Sequence, residues 1–255
     1  MIVFYALRMI VWFGYFFGYM IVHYPTLRRG EKALQVGDTD TVRQIVLANI
    51  PKWCNTLMKI GGVTMQVTGL ENIPAHTNCV FVANHRGMFD IPVMLTALGA
   101  PHGILAKKES EKIPLVNRWM KLLGCVFVDR SDVRASMRAL NDATETVKSG
   151  RSFSVFPEGT RYKGEEGGIG EFKGGAFRIA TKNKVPVVPV AIAGSRDRFE
   201  KYKCIVLPGV IRVQVLPPID TAALSREQQK TLPETVQQQI HQALQAMLAA
   251  EKEMV

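Results

Sequence analysis

The rhythm of apolar and polar positions changes once along the chain, near residue 62. Residues 1–22 are apolar and aromatic, broken only by Arg8. A helix of that length reaches about 33 Å, enough to cross a hydrocarbon core. A second helical stretch runs from about residue 40 to 60, with Val42, Ile45, Val46, Ile50, Trp53, Leu57 and Met58 at helical spacing and Pro51 as a kink. After that the apolar runs shorten. Those at 63–67, 79–83, 103–106, 125–128, 153–156, 185–192, 204–207 and 211–216 read as strands. They are continuous rather than alternating, which predicts a sheet covered on both faces.

Amphipathic helices separate several of these runs. The clearest spans 131–148, with Ser131 as N-cap, Val133, Met137, Leu140 and Val147 on the buried face, and Gly150 as the stop. The last opens on the capping box Thr-Leu-Pro-Glu at 231–234 and buries Val236, Ile240, Leu244 and Met247. The pattern predicts an α/β fold over 61–255, with a mostly parallel central sheet flanked by helices, preceded by a helical segment over 1–60.

Charge narrows the partners. Lys and Arg outnumber Asp and Glu by 32 to 22, a net charge of +10, which favours phosphates, anionic lipid or an acidic protein. No basic stripe with interleaved aromatics is present, so no nucleic-acid partner is expected. Cys54, Cys79, Cys125 and Cys204 lack metal or redox spacing and read as buried free thiols in a reducing compartment. The first segment lacks the charged start and the cleavage site of a secretory signal. Arg28, Arg29 and Lys32 place its C-terminal side on the cytoplasmic face. Arg8, Gly14, Tyr15, Gly18 and Tyr19 weigh against a simple span, so spanning and in-plane readings both stand.

The polar residues that follow the strand runs carry the chemistry. Residues 80–90 read Val-Phe-Val-Ala-Asn-His-Arg-Gly-Met-Phe-Asp, a strand that stops at His85 and turns into a helix with Asp90 as its N-cap. A carboxylate beside an imidazole fixes its tautomer and suits it to act as a general base. Lys107 and Lys108, Asp129 and Arg130, and Glu158 with Arg161 end three further runs. In open α/β sheets, ligands bind beyond the carboxyl ends of the strands. Arg130 and Arg161 are then phosphate ligands, with Lys107 next, because a guanidinium fork suits phosphate oxygens. Glu158 is expected to orient Arg161 or a substrate hydroxyl, and Gly159 to let the turn approach the ligand. No set of His or Cys ligands suggests a metal.

His-x4-Asp at 85–90, Gly-Cys-Val-Phe-Val-Asp-Arg at 124–130 and Phe-Pro-Glu-Gly-Thr-Arg at 156–161, in this order, resemble the motifs of the glycerolipid acyltransferases, most closely those acting on 1-acylglycerol-3-phosphate. The likeness covers about 60–220, and Pro189 matches a fourth motif. It implies a catalytic pair, His85 and Asp90, and a substrate-binding set of Lys107, Arg130, Glu158, Gly159 and Arg161. It also implies lysophosphatidate as acceptor, acyl-CoA or acyl carrier protein as acyl donor, no cofactor, and phosphatidic acid as product. An N-terminal two-helix membrane anchor, lying in one leaflet on the cytoplasmic face of the inner membrane, belongs to the same picture. Glycerol-3-phosphate or another lysophospholipid is the alternative acceptor. A non-catalytic adaptor for anionic lipid is the alternative class, and it would need no His85–Asp90 pair.

Overall fold

The computed structural model describes residues 2–99, 101–202 and 205–253. Three helices come first: α1 (Ile2–Val22), α2 (Tyr24–Gln35) and α3 (Thr39–Gly61). Two were expected. The additional one, α2, is mostly polar, and its buried positions are Leu27, Gly30 and Ala33. Pro25 sits in its first turn, where a missing N–H costs nothing. Gly30 leaves room for Leu122, which a Cβ there would meet at 2.7 Å. Asp38 caps α3 by accepting from the Thr41 amide at 3.0 Å, and Gly62 closes it in the left-handed region at φ 68°.

The α/β part then follows as β1 (Val63–Thr68), β2 (Val80–Ala83), α4 (Asp90–Ala97), β3 (Gly103–Lys107), α5 (Val116–Leu123), β4 (Val126–Val128), α6 (Val133–Lys148), β5 (Phe153–Val155), α7 (Arg178–Asn183), β6 (Val187–Ala193), β7 (Gly209–Val215) and α8 (Arg226–Glu253). The seven strands form one sheet in the order β1-β7-β6-β2-β5-β3-β4. Strands β6, β2, β5, β3 and β4 run parallel; β7 is antiparallel to β6, and β1 is parallel to β7. The mostly parallel sheet flanked by helices is the architecture that the hydrophobic pattern predicts.

Helices cover both faces, as continuous apolar strands require. The pleat sends Val80 and Val82 to one core and Phe81 and Ala83 to the other. One core joins α1 through α5 to the sheet through Trp12, Leu27, Val46, Leu57, Phe81, Phe89 and Ile192. The second joins α6, α7 and α8 through Val147, Phe153, Ile179, Val236 and Ile240. Each fully buried side chain of this size contributes roughly 1.5–3 kcal/mol. Cys54, Cys79 and Cys125 are free thiols. Burial pushes Cys54 and Cys125 up to about 12 and Cys79 to about 11, so they stay unreactive. Cys204 lies outside the described residues.

Four local expectations are corrected. The run at 204–207 is not a strand over its described residues: the Val206 amide donates to Met9 Sδ at 3.1 Å and the Leu207 amide to the Arg198 carbonyl at 2.9 Å, so neither is available to a ladder. Ser131 does not cap α6, because its hydroxyl donates to Asp129 at 2.6 Å; Asp132 accepts from the Arg134 and Ala135 amides instead. Helix α6 packs through Ala139, Ala143, Thr144 and Val147, whose small side chains allow a closer approach, and this phase leaves Val133 and Met137 exposed. The capping box of α8 lies six residues earlier than expected, where Ser225 and Gln228 exchange hydrogen bonds of 2.9 and 3.2 Å, and Pro233 falls inside the helix.

Candidate active site

Strand β2 ends on a residue that locks its position. Fully buried Asn84 donates to the Ile192 carbonyl at 2.9 Å and accepts from the Ile192 amide at 2.8 Å, tying the strand end to β6. The next residue is His85. Its Nδ1 lies 2.8 Å from Asp90 Oδ2, and its ring stacks on Phe156 with centroids 4.2 Å apart. An ionised carboxylate only accepts, so Nδ1 carries a hydrogen, and in the neutral ring the lone pair is then on Nε2.

Asp90 begins α4 but does not cap it. The cap position is Phe89, and the Asp90 carboxylate turns back into the preceding turn. There Oδ2 also accepts from the amides of Arg86 at 2.7 Å and Gly87 at 2.9 Å. Three donors on one oxygen leave the carboxylate a single position. The expectation of an N-cap is corrected, and the expected pairing with His85 is present. Gly87 is needed for contact, since a Cβ would come within 2.9 Å of the Ser195 carbonyl.

Glu158, on the loop after β5, is buried beneath this turn. Its Oε1 accepts from the His85 amide at 2.7 Å and its Oε2 from the Gly170 amide at 2.9 Å. Burial pushes its carboxyl up from the ordinary range, against the downward pull of those two amides. It therefore supports the His85 backbone and does not orient Arg161, whose ion-pair partner is Glu200 at 3.0 Å. Gly159 follows at φ 70°, with the Lys173 ammonium packed where a Cβ would point. Its carbonyl accepts from Arg130. The Tyr162 amide donates to the His85 carbonyl at 2.8 Å, closing the two loops together.

Because β2, β5, β3 and β4 are parallel neighbours, the residues that follow them emerge at one edge of the sheet. His85, Asp90, Glu158, Gly159, Arg130 and Arg161 form one connected group there. Lys107 ends β3 at the same edge, exposed, with its ammonium 2.9 Å from Glu109. Lys108 pairs with Asp129 at 3.0 Å, and the Ser131 hydroxyl, together with that ion pair, holds the Asp129 carboxyl well below its ordinary range.

Three residues at this edge were not singled out from sequence. Arg86, only 2% exposed, donates to the carbonyls of Gly164, Glu165 and Gly168 at 2.6–3.0 Å and pairs with Glu166 at 3.0 Å. Its guanidinium sits over the Tyr162 ring at 5.3 Å. Asn84 and Glu200 are the other two. The position of Arg86, beside His85, was the one signal available for it; Glu200 lies far from every motif.

An acyltransferase family model matches residues 64–193. The chain is 32% identical over 188 residues to the 1-acyl-sn-glycerol-3-phosphate acyltransferase of Borreliella burgdorferi, covering 74% of each chain. It is 32% identical over 180 residues to the Saccharomyces cerevisiae protein of that name, covering 70% of this chain and 59% of the other. The crystal structure of the 1-acyl-sn-glycerophosphate acyltransferase PlsC from Thermotoga maritima superposes with a TM-score of 0.76 at 31% identity, over 96% of this chain and 98% of that one.

Proposed function

The chain belongs to the acyltransferase family, and on that premise we propose that it acylates the sn-2 hydroxyl of 1-acylglycerol-3-phosphate to give phosphatidic acid. The observation that carries this reading is the His85–Asp90 pair at 2.8 Å, linked through the 156–162 loop to Arg130 and Arg161. The relatives named above are 1-acyl-sn-glycerol-3-phosphate acyltransferases, and the exposed cations at the edge suit the phosphate of that acceptor.

The reaction needs no covalent enzyme intermediate. His85 Nε2 removes the hydroxyl proton as the acceptor oxygen attacks the thioester carbonyl of acyl-CoA or an acyl carrier protein. The tetrahedral adduct collapses with cleavage of the C–S bond. His85 then returns its proton to the departing thiolate, and Asp90 stabilises the imidazolium in between. Arg161, Arg130 and Lys107 neutralise the acceptor phosphate, while Glu158 and Gly159 shape the loop beside it.

A lipid acceptor calls for a lipid surface. Among the described residues, α1 is the one helix long and apolar enough to cross a membrane. It packs along α3, with Trp12 Nε1 donating to the Leu57 carbonyl at 3.0 Å and Trp53 Nε1 to the Phe16 carbonyl at 3.3 Å. Leu7, Ile10, Val11, Phe17 and Ile21 form an exposed stripe on its other side. A helix held along one side and apolar on the other fits an in-plane anchor in the cytoplasmic leaflet. The decisive experiment follows thiol release and phosphatidate formation together, with lysophosphatidate, glycerol-3-phosphate and lysophosphatidylcholine as acceptors and acyl-CoA or acyl carrier protein as donor. Turnover restricted to lysophosphatidate supports the proposal. Thiol release that is independent of acceptor, or absent throughout, overturns it.

A further inference from the structure

The loop between β6 and β7 brings Glu200 to the active-site edge. Its Oε1 accepts from the Met88 amide at 2.6 Å and from Arg161 Nη1 at 3.0 Å. Met88 lies between His85 and Asp90, inside the turn whose geometry sets the base. Arg161 lies within the 156–162 loop and is, on the proposed reading, a phosphate ligand. The Glu200 side chain is 16% exposed, whereas that of Arg161 is 46% exposed. Among the described residues the Glu200 Oε2 is buried without a hydrogen-bond partner, 3.0 Å from where a Cβ on Gly87 would stand.

We propose that Glu200 is a positioning residue for acyl transfer: one carboxylate oxygen holds both the turn that carries His85 and the guanidinium that receives the acceptor phosphate. The proposal deepens the acyltransferase reading and rests on it for the identity of the acceptor.

The geometry explains a feature that a purely structural role leaves open. A buried carboxylate with one oxygen unsatisfied is a cost to the fold, and burial pushes this carboxyl up from its ordinary range. A glutamine would accept from the Met88 amide equally well and would avoid the buried charge. What glutamine cannot supply is an ion pair to Arg161. That pair restrains a long, half-exposed side chain in one place before the ligand arrives. Among the described residues Nη1 is the one Arg161 nitrogen with a partner, which leaves Nε and Nη2 for phosphate oxygens. The link also couples the two half-sites, since whatever moves Arg161 acts on an atom bonded to the catalytic turn.

Two substitutions separate the two bonds. Glu200→Gln keeps an acceptor for Met88 and removes the charge facing Arg161. It should raise KM for lysophosphatidate about tenfold while kcat falls no more than about twofold, as expected for lost ground-state binding. Glu200→Ala removes both and should lower kcat about tenfold as well. In an Arg161→Ala background, Glu200→Gln should raise KM no further. Wild-type KM and kcat in Glu200→Ala, or KM effects of Glu200→Gln and Arg161→Ala that multiply independently, would overturn the proposal. An arm without turnover reads amide hydrogen exchange of the 86–91 segment. Exchange should accelerate in Glu200→Ala and not in Glu200→Gln; unchanged exchange in Glu200→Ala refutes the positioning role whatever the acceptor. Should Glu200→Ala fail to fold, Glu200→Gln decides alone through its KM. If the wild type does not acylate lysophosphatidate, the functional reading fails by itself, and the exchange arm still judges Glu200.

Discussion

The turn at 84–90 and the cation-bearing loops reach the same edge of the sheet by opposite means. In the turn, Asn84, Arg86 and Asp90 are buried, and the amides of His85, Arg86, Gly87 and Met88 all donate to carboxylates. Lys107, Arg130 and Arg161 are exposed to solvent, and among the described residues each is held by a single acceptor. The difference follows from what each half has to do. A proton moves over a few tenths of an ångström, so its base must be fixed beforehand. On the proposed reading, a phosphate arriving on a mobile lipid is met by long cations that stay open to water until it comes, each restrained by one bond rather than by burial. Burial thus separates two uses of arginine that sequence cannot: Arg86 spends its donors on the protein, while Arg161 keeps most of its own.

The comparison breaks first at His85. His85→Ala should reduce kcat by roughly 10²–10⁴-fold, the worth of general-base assistance, with near-native thermal stability, because the side chain removed belongs to a turn held by backbone bonds. Near-normal turnover in a folded His85→Ala protein would remove the base from the mechanism. Next comes Arg86. Arg86→Ala strips three carbonyls and Glu166 of their partner, and should cost about 2–4 kcal/mol of stability, between a lost charged hydrogen bond and a broken buried ion pair. Limited proteolysis should then cut within 162–170, and Arg86→Lys should not restore resistance, since an ammonium cannot span the same acceptors. Resistance equal to the wild type would place Arg86 with the adaptable half.

The smallest effect is a difference in sign with pH. Burial raises the Glu158 carboxyl above its unfolded value, about 4.3, so its contribution to stability is full below that value and lost as pH rises through the folded one. The Asp129 carboxyl is lowered by Ser131 and Lys108, so its contribution is present above its unfolded value and lost as pH falls through the folded one. From pH 7 to about pH 4, urea midpoints of the wild type should therefore rise relative to Glu158→Gln; from about pH 4 to about pH 2 they should fall relative to Asp129→Asn. Parallel trends would mean that the two halves do not differ electrostatically.

Much of this was legible in the sequence, for identifiable reasons. Strands buried on both faces announce themselves as unbroken apolar runs, so the sheet and its reactive edge could be read directly. His85 and Asp90 could be paired because one turn contains them both. What escaped reading depends on contacts distant in sequence or on local competition. Helix α2 hides its buried positions among charges. Ser131 loses the capping role to Asp132 because Asp129 takes its hydroxyl. Proximity in sequence offers Glu158 as a partner for Arg161 or for a substrate hydroxyl, whereas folding delivers Glu200 to Arg161 from the far side of β6. No spacing rule connects residues 88, 161 and 200.

The reversed strands at one end of the sheet also bear on how the chain comes into being. Val63 pairs with Gly209, so β1 emerges early in synthesis and waits for its neighbour until most of the chain has followed. Contacts of such long range close slowly. Helices α1 to α3 precede all of this, and the stripe from Leu7 to Ile21 leaves the ribosome before any sheet exists to compete for it. With the in-plane anchor proposed above, a nascent chain would settle on a bilayer first and complete its α/β body afterwards, already tethered to the surface that would hold a lipid acceptor.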